Sequence, residues 1–336
     1  MLYPMKTRRL GSMLTACRRF FTPHEEREKR SPEGGSDCAA AVPGRRPVPV
    51  LAIAEVFSHE GYRQHVQRRH GAASAHSSFE RQLIPDTRRE FTVDGYCYVC
   101  QTDRAFLVDF QYSSAVDGVL TPNWRERLVC PGCHLNSRMR AVAHVFAQAC
   151  RPHPGSRIYL TERMTALYGL FQRSFPQVCG SEYLGDAVGL GACNSQGVRN
   201  EDLTKLSYGD SSFDYVLSFD VFEHVPNYRK ALAECCRCLK SGGVLFFSVP
   251  FVKTSEKNIV RARLSETGEV IHVLPPEYHG DPVRPEGCLS FYQFGWEILD
   301  ELGGAGFTDA KALLYWSNEF GYLGGEQVLF MATKAL

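Results

Sequence analysis

At 336 residues the chain is long enough for one large α/β domain plus a smaller module. Its apolar content is ordinary, and a formal net charge of +1 excludes a global electrostatic pull toward nucleic acid or a membrane surface. No apolar run approaches the ~20 residues that span a bilayer, since the longest, 244–252, is broken by Ser248 and Pro250 and fits a buried strand.

Residues 1–50 are rich in Arg, Glu, Pro, Gly and Ser, with few grouped apolar residues. Such a stretch buries too little surface to offset its ordering entropy and is expected to be a disordered tail. The alternative, a basic amphipathic targeting peptide over 5–21, is opposed by the mixed-charge run 25–30 that follows it. The Arg-studded start also lacks the continuous apolar core of a secretory signal, so the expected location is cytoplasmic.

Residues 51–152 mix two helical patterns with a Cys-bearing, partly β segment, and 153–336 alternate β-rich with helical runs, the signature of a wound α/β sheet. Strands are predicted at 157–161, 177–183, 198–200, 213–219, 243–251, 310–316 and 327–332. Helices are predicted at 164–175, 227–239 and 294–303. The second of these places Tyr228, Ala231, Leu232, Cys235 and Leu239 on one face, which suits packing on a sheet.

Thirteen cysteines are many, and their number is odd. Cys235, Cys236 and Cys238, bunched on one predicted helix, do not resemble a disulfide framework, so free or metal-bound thiols in a reducing compartment are expected. Cys97-Tyr-Val-Cys100 and Cys130-Pro-Gly-Cys133 form two CxxC pairs. Each pair offers two thiolates from one tight turn, and Zn²⁺ takes four tetrahedral ligands. Pro131 and Gly132 favour that turn. The expectation is a closed, structural zinc knuckle ligated by Cys97, Cys100, Cys130 and Cys133, without His134. Four buried cysteines acting as small hydrophobes, or a redox CxxC, are the alternatives. The flanking arginines of 123–128 and 135–140 could meet a phosphate or carboxylate. Composition favours the plainer reading, that they cap the helix beginning near Asn136 or lie solvated.

Residues 213–251 read FDYVLSFDVFEHVPNYRKALAECCRCLKSGGVLFFSVPF. This stretch resembles the class I methyltransferases of the type 11 family, in which a strand ends at an acidic-His-Val turn and a helix leads to a Lys-x-Gly-Gly turn. Glu223-His224-Val225 and Lys240-Ser241-Gly242-Gly243 carry the resemblance, and 206–214 is similar to the family's loop before the fourth strand. The resemblance covers roughly 155–336 and is specific over 200–251. It implies a Rossmann-like sheet, S-adenosyl-L-methionine (SAM) as cofactor, and ligands at the carboxyl ends of the strands. Glu182, at the end of the second strand of the family's sheet, would accept the ribose hydroxyl protons. Asp202 would take the adenine amino group, and Leu203 and Phe219 would line the cofactor site. Where the family has a GxGxG loop, 158–166 has no glycine, and Thr161 and Glu162 are the candidates for the methionine ammonium.

Asp220, Glu223 and His224 follow one another at a strand end, in an order similar to the metal-binding ExxEH of ubiquinone-pathway and small-RNA 2′-O-methyltransferases, with Asp220 replacing the first Glu. His279 lies in a long insertion where the family places acceptor contacts. These four residues are the catalytic candidates, as a general base for a hydroxyl acceptor or as ligands of a second divalent metal. A purely structural role would have Glu223 and His224 start the next helix and the insertion form a proline-braced loop. The expected function is O-methylation of a small-molecule or glycan acceptor, such as a sugar. Nucleic acid is the less favoured partner. The alternative is a pseudo-methyltransferase binding module whose zinc knuckle recruits RNA or a protein.

Overall fold

Eight strands form the main sheet of the computed structural model, which describes residues 48–87 and 89–336; the expectations for 1–47 lie outside the described residues. The strands are β1 (Ile53–Val56), β2 (Ile158–Leu160), β3 (Val178–Glu182), β4 (Arg199–Asn200), β5 (Phe213–Phe219), β6 (Leu239–Ser248), β7 (Phe307–Ser317) and β8 (Tyr322–Lys334). Their order across the sheet is β1-β7-β8-β6-β5-β2-β3-β4. Strands β2 to β6 pair in parallel, whereas β8 runs antiparallel to both β6 and β7. This is the wound α/β architecture expected from the sequence, with its switch point between β2 and β5.

Both faces of the sheet are covered, which explains the near-continuous apolar strands. Successive residues point to opposite faces, so Leu217 and Phe246 join one core cluster while Val216 and Phe247 join the other. Helices α1 (His59–Arg68), α2 (Ala72–Gln82), α3 (Trp124–Arg127) and α4 (Ser137–Cys150) precede the parallel strands, and α5 (Ala166–Ser174), α6 (Tyr228–Cys238) and α7 (Glu297–Gly304) connect them. On α6 the buried residues are Tyr228, Ala231, Leu232, Cys235, Cys236 and Cys238, so the predicted face is the one that packs. None of the eleven described cysteines is in a disulfide.

The Lys240–Gly243 segment, expected as a turn, enters β6 through a register shift between Leu239 and Val244. Gly242 has φ +70°, and a Cβ on Gly243 would stand 2.8 Å from the Lys240 carbonyl oxygen. The backbone therefore turns inside the strand, where only glycine fits.

Residues 91–108 form a hairpin of Phe91–Cys97 and Thr102–Val108, tied to Val129 through paired backbone bonds with Leu107. Its Val93, Phe106 and Val108 share a core with α4, α5 and β8. Strand β1 adds to the edge of β7. Leu51, Val93, Phe106, Trp124 and Phe146 thus share a core with the sheet.

Candidate functional site

At the carboxyl ends of the parallel strands, over the switch point, lies a cleft of about 1550 Å³. That exceeds the roughly 300–1,000 Å³ of a site for one small ligand, leaving room for a cofactor and an acceptor together. All ten non-cysteine candidate residues line it: Thr161, Glu162, Glu182, Asp202, Leu203 and Phe219 on one side, and Asp220, Glu223, His224 and His279 on the other.

The glycine-free loop after β2 is held from the neighbouring strand. Glu182 Oε1 accepts backbone N–H bonds from Arg163 (2.7 Å) and Met164 (2.8 Å). Thr165 then caps α5 through the Tyr168 N–H. The glycine that permits close approach sits on β3 instead: a Cβ on Gly180 would stand 2.6 Å from the Glu162 carbonyl oxygen and 2.5 Å from the Tyr168 ring. Thr161 is buried and donates to Ser218 Oγ. Burial raises the Glu182 carboxyl above its ordinary value. Burial also lifts Glu162 to about 7, against the nearby charge of Arg138, and its Oε1 is shielded from solvent with no hydrogen-bond partner. Asp202 Oδ1 accepts from the N–H and hydroxyl of Thr204, which fixes the turn that presents Leu203 to the cleft.

Asp220 is placed differently from expectation. It ends β5 with φ +54°, and its carboxylate accepts from Arg125 Nη2 (2.7 and 3.0 Å) and Ser248 Oγ (2.8 Å), with Arg138 Nη1 at 3.4 Å. Burial pushes its carboxyl upward, but the two guanidinium charges prevail and hold it well below the usual carboxylate range. Glu126 accepts from both arginines and from Asn136 Nδ2, linking α3 to α4. Asp220 is therefore committed to arginines and is not among the grouped metal-ligand atoms around Glu223, so the expected Asp220–Glu223–His224 triad does not form.

The arginines also depart from the solvated reading. Asn136 does cap α4, through the Met139 N–H. Arg138, in the first turn, is 16% exposed and lines the cleft. Arg140 is fully buried, stacked 3.7 Å over Phe106, and donates to the Phe320 and Leu128 carbonyls. Composition could not reveal this, because Asp220 and the Phe320 carbonyl that hold these arginines come from distant segments.

On the acceptor side, Glu223, His224 and His279 each direct one ligand atom to a common point, all within 4.8 Å of one another. Glu223 is fully buried and neither carboxylate oxygen has a close hydrogen-bond partner; the nearest ring nitrogens are His279 Nδ1 at 3.5 Å and His224 Nε2 at 3.6 Å. His224 Nδ1 lies 2.9 Å from the Leu289 carbonyl, which makes Nδ1 the protonated nitrogen and leaves the Nε2 lone pair facing Glu223. The Glu223 carboxylate raises His279 to about 9, burial opposing, and Glu277 at 3.1 Å adds to the rise. Glu277, in the same insertion, is a residue the sequence did not single out. The insertion carries short paired strands, including Tyr278–His279 with Cys288–Leu289, between its proline-bearing turns.

Residues 166–247 match the family model described as a methyltransferase domain. The match spans α5 to β6 and contains the whole specific stretch of the resemblance up to Phe247. A protein of Mycolicibacterium smegmatis described as a probable S-adenosylmethionine-dependent methyltransferase is 38% identical over 53 residues, 16% of this chain. The chain spans only 21% of the length of that relative. Among solved structures, an S-adenosylmethionine-dependent methyltransferase from Mesorhizobium loti is similar over 60% of this chain and 100% of its own, at 16% identity and a TM-score of 0.37. One from Thermotoga maritima is similar over 59% of this chain and 87% of its own, at 18% identity and a TM-score of 0.33.

Ahead of the methyltransferase-domain match, the two CxxC pairs converge. The four Sγ atoms lie within 4.8 Å of one another, with Cys97 to Cys133 at 3.8 Å and Cys100 to Cys130 at 3.7 Å. Zn–S bonds of about 2.3 Å in a tetrahedron place sulfurs about 3.8 Å apart. The Cys100 and Gly132 N–H groups point at the Cys97 and Cys130 sulfurs at 3.4 Å, an arrangement that favours thiolates. His134 is not part of the cluster. Among the described residues no helix is long and apolar enough to cross a membrane.

Proposed function

We propose that the chain is a SAM-dependent methyltransferase acting on a hydroxyl of a small acceptor, such as a sugar, glycan or metabolite. The observation that carries this reading is the convergence, in one cleft beside the switch point, of the cofactor-type acids with a buried carboxylate and two imidazoles. Glu182 would bind the ribose hydroxyls and Asp202 the adenine amino group. Leu203 and Phe219 would pack on the adenosyl group, and Glu162 with Thr161 would take the methionine ammonium. When bound, SAM supplies a methyl group on a sulfonium for in-line displacement by the acceptor oxygen.

The chain's task is then to orient the acceptor and remove its proton. His224, with Nδ1–H given to a carbonyl, has Nε2 available as a base. A second mode is favoured by the orphaned Glu223 carboxylate. Its oxygens, His224 and His279 form an N,N,O donor set that fits a divalent cation, which would neutralise the buried charge and chelate neighbouring acceptor hydroxyls. Four thiolates at tetrahedral spacing support a separate, structural Zn²⁺.

Carboxylates outnumber the cleft's Arg125, Arg138, Lys253 and Arg284 even with His279 added to them, which disfavours a polyanionic acceptor such as RNA. Calorimetry tests the reading: the full chain is expected to bind SAM, and no binding would point to the pseudo-methyltransferase module. A His224→Ala, His279→Ala double variant is expected to keep SAM binding and lose turnover. Loss of wild-type turnover in EDTA with recovery on added metal selects the metal mode, and chelator-insensitive turnover selects the base.

A further inference from the structure

The two arginines beside Asp220, read from composition as capping or solvated, both line the cleft that holds Glu162. They come from the Cys-bearing region: Arg125 from α3, whose Trp124 is buried against Phe91 of the hairpin, and Arg138 from α4, five residues after Cys133. Arg125 spends Nη1 on Glu126 and Nη2 on Asp220. Arg138 spends Nε on Glu126 and Nη1 on Asp220, and among the described residues no group pairs with its Nη2. Salt bridges to two fixed carboxylates hold each guanidinium rigidly, which lowers the ordering cost of recognising a further anion.

Two facts define that anion. The cleft is rich in carboxylates, so a lone anion such as free phosphate would meet net repulsion. Glu162, whose Oε1 has no partner, is close enough to Arg138 to feel its charge. A carboxylate in want of a cation beside a guanidinium with a spare donor is the complement of a zwitterion, an ammonium and a carboxylate on one carbon. The cofactor proposed above carries that group in its methionine part.

We propose that Arg138, supported by Arg125, binds the α-carboxylate of the cofactor while Glu162 binds its α-ammonium, so that the Cys-bearing region supplies part of the cofactor site. This rests on the cofactor reading above. It gives the glycine-free loop a physical rationale: the amino-acid head is gripped by the side chains of Glu162 from the loop and Arg138 from α4 in place of a close backbone approach.

The test is calorimetry on the full chain with three ligands: S-adenosylhomocysteine, its decarboxylated analogue (which keeps the ammonium) and 5′-methylthioadenosine (which lacks both groups). Wild type is expected to bind S-adenosylhomocysteine at least about tenfold more tightly than the decarboxylated analogue, the scale of one lost charge-assisted bond. Arg138→Gln is expected to erase that difference and leave 5′-methylthioadenosine affinity within about twofold of wild type. Arg125→Gln, at a more exposed side chain, is expected to reduce it in the same direction. Equal wild-type affinity for S-adenosylhomocysteine and its decarboxylated analogue overturns the proposal while leaving the cofactor reading intact. So does a discrimination that survives both substitutions. Wild type that binds none of the three overturns both.

Discussion

Glu182 serves the loop and the cleft with one side chain. Its Oε1 pins the Arg163 and Met164 N–H groups, and no described residue pairs with Oε2. Asp202 instead spends Oδ1 on Thr204. Glu182→Ala is therefore expected to weaken SAM binding more than Asp202→Ala. Each lost charged hydrogen bond is worth about 1.5–3 kcal/mol, and Glu182→Ala also frees two backbone donors that organise the loop. Titration calorimetry on both variants checks the order, and an equal or reversed loss would remove Glu182 from the ribose role. At this scale the sequence was informative where a motif ties a residue to a strand end, as for Glu182, Glu223 and His224. It was uninformative for Arg125 and Arg138, because a guanidinium's neighbours depend on which distant acids the fold delivers. Asp220 was misplaced for the same reason: spacing puts it near Glu223, but its side chain turns to the arginines.

Among the elements, periodicity located the strands of the main sheet from β2 to β8 and the helix α6. It also placed the ends of β7 and β8 too narrowly, since both run beyond the predicted segments. Strand β1 went unnoticed because IAEV is four residues long and takes its strand character from pairing with Ala312–Tyr315. The Cys pairs were legible as metal-type spacing, whereas the hairpin that carries Cys97 was not. If the proposed zinc holds the hairpin against the turn at Cys130–Cys133, it also fixes the approach of α3 and α4. Protein purified without chelator is expected to carry about one zinc per chain. Cys130→Ser is expected to lose it, to melt several degrees lower at about 2–4 °C per kcal/mol, and to bind S-adenosylhomocysteine more weakly. Elemental analysis and calorimetry measure these; zinc-free wild-type protein with an unchanged melting point would dispose of the structural metal.

For the molecule as a whole, stability and ligand affinity are joined through Glu162. Burial raises its carboxyl from 4.5 to about 7 in the folded chain. A value raised on folding contributes stability that is present below about 4.5 and is lost as the pH climbs through about 7. An ammonium-bearing ligand prefers the ionised form, so ligand binding and proton release are coupled below that value. The free energy of stabilisation by S-adenosylhomocysteine is therefore expected to grow between pH 5 and pH 7, by at most about 1.4 kcal/mol per pH unit, and to level off above that. Glu162→Gln is expected to flatten the trend, and a flat wild-type profile would show that Glu162 does not meet the ligand's charge. The sheet order has a consequence of a different kind, in time. Strand β8 is translated last of the eight and yet sits between β6 and β7, so the parallel half and the β1–β7 pair have no continuous sheet joining them until residues 322–334 have emerged. Glu55, next to β7 in the finished sheet, waits 256 residues for its partner Lys311. At about 5–20 residues per second that is on the order of 10 to 50 s of synthesis with an open edge. A released chain truncated before residue 322 is therefore expected to hold two half-sheets with no strand to join them, and no complete fold.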